Sequence, residues 1–414
     1  MNNSTKISIL GGLLFLSIIF SYVVSEDTLG GAKQDYYTYE NFIYLFADDF
    51  INTFKNYPSY EFTRNSPFFY IVFSQLYKLG LDLNTLRHLN VISAFFIVYL
   101  FYECLKIKFP KVNTFNLQLF SFILFLSPTI RSLTVWPYPI FYAYIFFLVS
   151  IKYYLLFQED KKNKIKNALL NVFFIAMASY ITPNFCVFAI YFTYKFFLEF
   201  KFTRYFQYIL LLNFFLALPG FIYFHEFDYY LFKVSVGDVS PSIRFNIFNK
   251  IVIISSLIFF YYIPFVNNKI ISKTTDIFKN IKNEYFLVLF FLICAYFFNF
   301  PSGFFGGGVF YHLSQKILNN NLFLFLVFGL SLILFKGAKL FKIENIILFV
   351  CMILYNLQVS IYHKYFDPLL LFVFLFLLKK NQIKNHRSFL KITKNFYILY
   401  LIFLGMSFYK VNFL

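Results

Sequence analysis

Seven of the chain's 19 acidic residues fall in one stretch. Residues 25–65 hold Glu26, Asp27, Asp35, Glu40, Asp48, Asp49 and Glu61 against three bases, Lys33, Lys55 and Arg64. A carboxylate within hydrogen-bond reach of a hydroxyl can take its proton as that hydroxyl attacks an electrophile. Asp35 is set for such work, behind Gly30 and Gly31 and ahead of Tyr36, Tyr37 and Tyr39. Glycines let a loop close tightly over a ligand, and the tyrosines bring flat rings and hydroxyls. Glu26 and Asp27 compete for the role. The plainer alternative is a solvated loop acid among tyrosines that anchor at a membrane interface.

Cations form the second group. Arg64, Arg131, His363 and Lys364 all fall between apolar runs, and His363 and Lys364 sit close to Asp367 in "YHKYFDP". Arginine suits two-pronged contact with phosphate, but each of these residues alone also serves as a headgroup anchor. "GFFGGG" (303–308) lacks the Gly-Lys-Ser/Thr ending of a nucleotide loop. It reads as a flexible outer loop near a carrier lipid, with a plain turn as the alternative, and His312 follows on an interfacial helix. His225, Glu226 and Asp228 are three ligand-type residues without a fourth, so a divalent metal is not indicated and no cofactor is expected. The four cysteines, Cys104, Cys186, Cys294 and Cys351, lie in or beside apolar runs without CxxC spacing, which speaks against a zinc site or a disulfide framework.

The elements that must position these groups follow from composition. The 414 residues are 60% hydrophobic and 14% charged, with a mean hydropathy of +0.65; a soluble chain carries roughly 25% charged residues. The apolar runs are continuous and many reach the length that crosses a bilayer, so the expected fold is all-α and polytopic rather than a β-barrel. The net charge of +18 gathers in short loops between those runs, as the positive-inside rule expects, and is not read as a nucleic-acid surface. Walking the loops predicts thirteen spans, near 7–24, 88–105, 116–131, 138–157, 167–182, 184–198, 206–224, 250–266, 285–300, 321–335, 345–361, 366–378 and 396–409. The N-terminus is then cytoplasmic, the acidic segment outside, and the C-terminus periplasmic. The outside loops include 131–137, 225–249 and 362–368.

The segment 25–87 is more than a connector. Ile43, Phe46, Ala47, Phe50, Ile51 and Phe54 recur at helical spacing, with Glu40, Asp48, Asp49, Asn52 and Lys55 on the other face. This predicts an amphipathic interfacial helix. "SPFFYIVFSQLYKLG" (66–80) predicts a second, begun at Pro67. No internal repeat or separate soluble domain is visible, and residues 1–414 read as one transmembrane domain.

An early anchor, a long acidic outer loop with interfacial helices and a dozen further spans resemble the GT-C glycosyltransferases. These are integral membrane enzymes that use a polyprenyl-phosphate or diphosphate sugar. The family's carboxylate in the first outer loop falls on Glu26, Asp27 or Asp35. The place of its His-Pro or His-Ser-Pro element is taken by "RNSP" (64–67), which lacks the histidine, and "YHKYFDP" matches a late cluster of such chains. The resemblance implies an inverting transfer from a polyprenyl-linked donor to a glycan, lipid or protein acceptor at the outer face of a bacterial inner membrane. It implies Asp35, Asp27 or Glu26 as base and Lys33, Tyr36, Tyr37, Arg64, Arg131, His312, His363, Lys364 and Asp367 as substrate-binding residues. Two other functions fit the same span pattern. An O-antigen-type polymerase or ligase usually carries a large late outer loop with arginines, which this chain lacks. A transporter or flippase expects ionisable groups or broken helices near the midplane, whereas the acids here collect in one outer loop.

Overall fold

A computed structural model describes residues 3–28, 31–60, 65–226, 246–301, 306–356, 360–379 and 386–413. Among them every regular element is helical. Five helices are long and apolar enough to cross a membrane: Leu83–Lys108, Pro139–Glu159, Arg204–Tyr223, Ile247–Phe265 and Arg387–Lys410. A sixth crossing results if Thr114–Leu126 and Pro128–Val135, bent by 67° at their junction, act as one broken span. Ile9–Val23, Tyr285–Tyr296, Leu322–Gly337 and Ile343–Tyr355 are apolar but shorter than the roughly 20 residues of a full crossing.

By helix length, then, five or six of the thirteen expected spans stand out. The difference has a local cause. Hydropathy sees one apolar run where the backbone breaks, as at Pro128 after the tight turn Phe122–Leu126.

The contacts gather the chain into two compact units, Met1–Leu231 with Ile383–Leu414, and Phe232–Gln382. In the first, α1 (Asn3–Val23) leads through residues 24–31 to α2 (Ala32–Asp48). Ala32, Tyr36, Tyr39, Ile43 and Phe46 form the buried stripe of α2 at the spacing of one helix face. The expected amphipathic helix is therefore present in altered form. It begins well before Ile43, and Asp35 lies in its first turn rather than in a loop. It also breaks at Asp49, whose extended backbone ends α2 and whose carboxylate accepts from the Asn52 amide (3.1 Å) to start α3 (Phe50–Asn56). Asp48 and Asp49 are exposed at that break.

The second predicted interfacial helix is α4 (Phe68–Lys78), capped at Pro67. It packs on α2 through Tyr39–Tyr70 and Phe42–Tyr70 ring contacts at 5.5 and 5.3 Å. Asp82 caps α5 (Leu83–Lys108) through the Thr85 amide. Helix α6 (Thr114–Ser121) follows α5, and the Asn90 side-chain amide donates to the carbonyls of Leu133 and Thr134 (2.7 and 2.6 Å), which fastens α5 to α7 (Pro128–Val135). α8 (Pro139–Glu159) pairs with α9 (Lys164–Ile181), and their buried polar contact is Asn171 with Ser150. The C-terminal helix His386–Phe413 returns to this unit, where Tyr397 donates to the Leu119 carbonyl (2.7 Å).

The second unit is built on Ile247–Tyr262, whose buried residues cover most of its circumference. Around it stand Tyr285–Tyr296, Leu322–Gly337 and Ile343–Tyr355. Asn268–Lys279 is an amphipathic helix where the sequence predicts only a basic loop.

Candidate active site

The region after α1 sorts its three acids into different jobs. Glu26 is buried and faces Arg131. Arg131 Nε donates to Glu26 Oε1 (2.9 Å) and Nη2 to Oε2 (2.7 Å), a two-pronged ion pair. The rest of the guanidinium is also occupied. Nη1 donates to Ser17 Oγ (3.1 Å), and Nη2 to the Ser21 hydroxyl and the Ser17 carbonyl. Thr28 Oγ1 adds a 3.0 Å bond to Glu26 Oε1, and Trp136 Nε1 donates to the Glu26 carbonyl (3.0 Å). Arg131 thus lies inside helix α7, not in an outer loop, and joins α7 to α1. Neither partner is presented to a substrate: a buried ion pair holds only when its remaining hydrogen bonds are also satisfied, and here they are.

Asp27 has a different task. Its Oδ2 accepts from the amides of Gly31 (2.8 Å) and Lys33 (3.2 Å), and its Oδ1 from Ala32 (3.1 Å). These are N–H groups that a helix start leaves without partners, and negative charge there also suits the helix dipole. Gly31 makes the arrangement possible, because its φ of 101° is a conformation that side-chain-bearing residues rarely adopt. Asp27 therefore fixes where α2 begins and, one turn on, where Asp35 stands.

Asp35 is half-buried. Tyr138 Oη donates to its Oδ2 (3.2 Å), and Tyr39, one turn along α2, meets the Tyr138 ring edge-on at 5.0 Å. On the adjoining face Ala32, Tyr36, Val135 and Trp136 form a small core with Tyr22 against it. Trp136, the chain's only tryptophan, lies 5.7 Å from the Tyr36 ring and 6.3 Å from Tyr37. Tyr37 is half-exposed, whereas Tyr36 is buried, and burial foremost pushes the Tyr36 phenol above the ordinary tyrosine range.

Two cations complete the cluster. The Arg87 guanidinium stacks 4.3 Å from the Trp136 ring centre and 5.0 Å from Tyr22, and Lys33 Nζ lies 5.6 Å from Trp136. Among the described residues Arg87 makes one long hydrogen bond, from Nε to the Val135 carbonyl (3.4 Å), and its two Nη groups make none. Sequence reasoning missed Arg87, Trp136 and Tyr138. A charged residue just before a predicted span and a lone tryptophan beside a predicted outer turn were the signals present.

Arg64 falls outside the described residues. In the second unit the His363 ring nitrogen Nε2 hydrogen-bonds Tyr261 Oη (2.8 Å), and Lys364 Nζ sits 5.4 Å from the Tyr362 ring centre. Asp367 is fully buried and precedes a cis bond to Pro368, whereas His363 and Lys364 are half-buried. His312 lies half-buried on Gly308–Leu318 against Tyr311. Gly306, with φ of 99°, lets that segment run against the backbone of Ile361, where an added Cβ would meet the Ile361 nitrogen at 2.9 Å. Of the possible metal triad, Asp228 lies outside the described residues. Among the described residues no three His, Cys, Asp or Glu side chains converge as a metal site.

A shallow recess of about 640 Å³ opens at the far end of α2, lined by Tyr44, Asp48, Tyr77 and Lys78. Tyr44 and Asp48 lie roughly 14–20 Å along the helix from Asp35. No protein-family model, no characterised protein and no solved structure matches this chain.

Proposed function

We propose that the chain is a GT-C-like glycosyltransferase that moves a sugar from a polyprenyl-phosphate or diphosphate carrier to a hydroxyl acceptor at the outer face of a bacterial inner membrane. The observation that carries this is the division of labour among the three acids. Glu26 is enclosed by Arg131, and Asp27 is engaged by three backbone amides. Asp35 stands half-buried beside Tyr138, and the same helix packs Tyr36 and Tyr37 on Trp136, which carries Arg87 and Lys33.

That grouping suits each demand of the reaction. Asp35 takes the proton of the acceptor hydroxyl as its oxygen attacks the anomeric carbon. The bond from the anomeric carbon to the carrier phosphate oxygen breaks, and the phosphate leaves with its electron pair. Arg87, aided by Lys33, holds that phosphate, since a guanidinium matches its oxygens in pairs. Tyr37 and Trp136 offer faces on which a sugar ring can stack. Attack from the side opposite the leaving phosphate inverts the anomeric centre. The amphipathic α2 would lie at the outer interface, with the chain crossing thirteen times from a cytoplasmic N-terminus. The test is glycan transfer by Asp35→Asn, which keeps shape and removes the base. Turnover is expected to fall about 10²- to 10⁴-fold, with insertion unchanged.

A further inference from the structure

The second unit holds a cavity of about 580 Å³ that the transfer chemistry does not use. Its wall is mainly apolar, built from residues such as Leu332, Phe349, Met352 and Phe374. Its rim is set at one end of the helices. It meets the start of Tyr285–Tyr296, the end of Leu322–Gly337 and the start of Ile343–Tyr355. Phe286 at this rim is 90% exposed, which suits contact with hydrocarbon.

The same helix ends carry the lysines. Lys282, Lys339 and Lys342 directly flank the rim residues Asn283, Leu340 and Phe341 in sequence, are exposed and make no ion pair among the described residues. The acids on the rim are already taken, Glu284 by Lys336 and Glu344 by Lys379 (2.7 Å). The Ser255 hydroxyl is wholly buried, lines the cavity and has no hydrogen-bond partner among the described residues. A buried hydroxyl calls for a partner, which an ester oxygen supplies and a plain hydrocarbon does not.

We propose that this cavity is a binding site for an anionic phospholipid of the leaflet that faces these lysines, one acyl chain inside and the phosphate on the lysine rim. Basic pockets between membrane helices select anionic headgroups through charge. A neutral lipid would fill the wall equally well but leave the lysine charge unmatched. The site stands on its own geometry and does not rest on the glycosyltransferase reading.

The test is native mass spectrometry of the delipidated full-length protein with dioleoyl-phosphatidylglycerol or dioleoyl-phosphatidylcholine. Wild type is expected to retain one phosphatidylglycerol in preference to phosphatidylcholine. Lys339→Gln with Lys342→Gln should weaken that preference by about fivefold per lysine. Ile346→Trp, at the cavity wall, should lower retention of both lipids. Equal retention of the two lipids by wild type, or an unchanged lipid load in Ile346→Trp, would overturn the proposal. Where Ile346→Trp fails to fold, the lysine pair decides: an unchanged phosphatidylglycerol preference in that variant rejects the site.

Discussion

Glu26 and Arg131 stand 105 positions apart in sequence and form a buried ion pair. Removing one partner leaves an uncompensated buried charge, which costs about 3–5 kcal/mol, whereas replacing both with apolar groups is often close to neutral. Glu26→Gln is therefore expected to lower the unfolding free energy of the detergent-solubilised protein by an amount in that range. Glu26→Met with Arg131→Met should recover most of it. A fully stable Glu26→Gln protein would show that the pair does not join α1 to α7. Sequence makes both residues visible as ionisable groups beside apolar runs, and it makes Glu26 a rival for catalysis. It carries no sign of their pairing, because nothing local links position 26 to position 131. Arg87 and Trp136 were hidden for the same reason: their meaning lies in a stacking contact between α5 and the end of α7.

At the scale of the element, the start of α2 governs the site. Asp27 holds three amides, Gly31 supplies the turn, and Asp35 follows in the first turn. Loss of a cap of this kind costs about 0.5–2 kcal/mol. Asp27→Ala should thus raise hydrogen–deuterium exchange of the amides around 32–35 roughly 2- to 30-fold, with Asp27→Asn close to wild type. Unchanged protection in Asp27→Ala would leave the helix start without its assigned cause. The helical periodicity of this region was legible in sequence, as was the Pro67 start of α4. The true start of α2 was not, because Gly30-Gly31 reads as the middle of a loop when the Asp27 cap lies before it. The break at Asp49 also escaped the pattern, since Phe50, Ile51 and Phe54 keep the apolar spacing across it.

On the scale of the whole molecule, the membrane class and helical content follow from composition, and the helix lengths single out five or six spans. The shorter apolar helices keep the number of crossings from being counted by length, because a twelve-residue piece such as Tyr285–Tyr296 is about 18 Å long. Sidedness rests on charge instead. Asn52 is exposed on α3. With native cysteines, including exposed Cys186, replaced, Asn52→Cys should react with an impermeant thiol reagent in intact cells whose outer membrane is permeabilised. Labelling confined to lysed cells would place α2 on the wrong side for a lipid-linked donor. The most direct measurement is transfer from a polyprenyl-linked sugar at matched folded abundance for wild type, Asp35→Asn and Glu26→Gln. Asp35→Asn is expected to keep its denaturation midpoint and lose turnover about 10²- to 10⁴-fold, while the folded fraction of Glu26→Gln keeps its turnover; near-normal transfer by stable Asp35→Asn would contradict the role of Asp35 and the mechanism built on it.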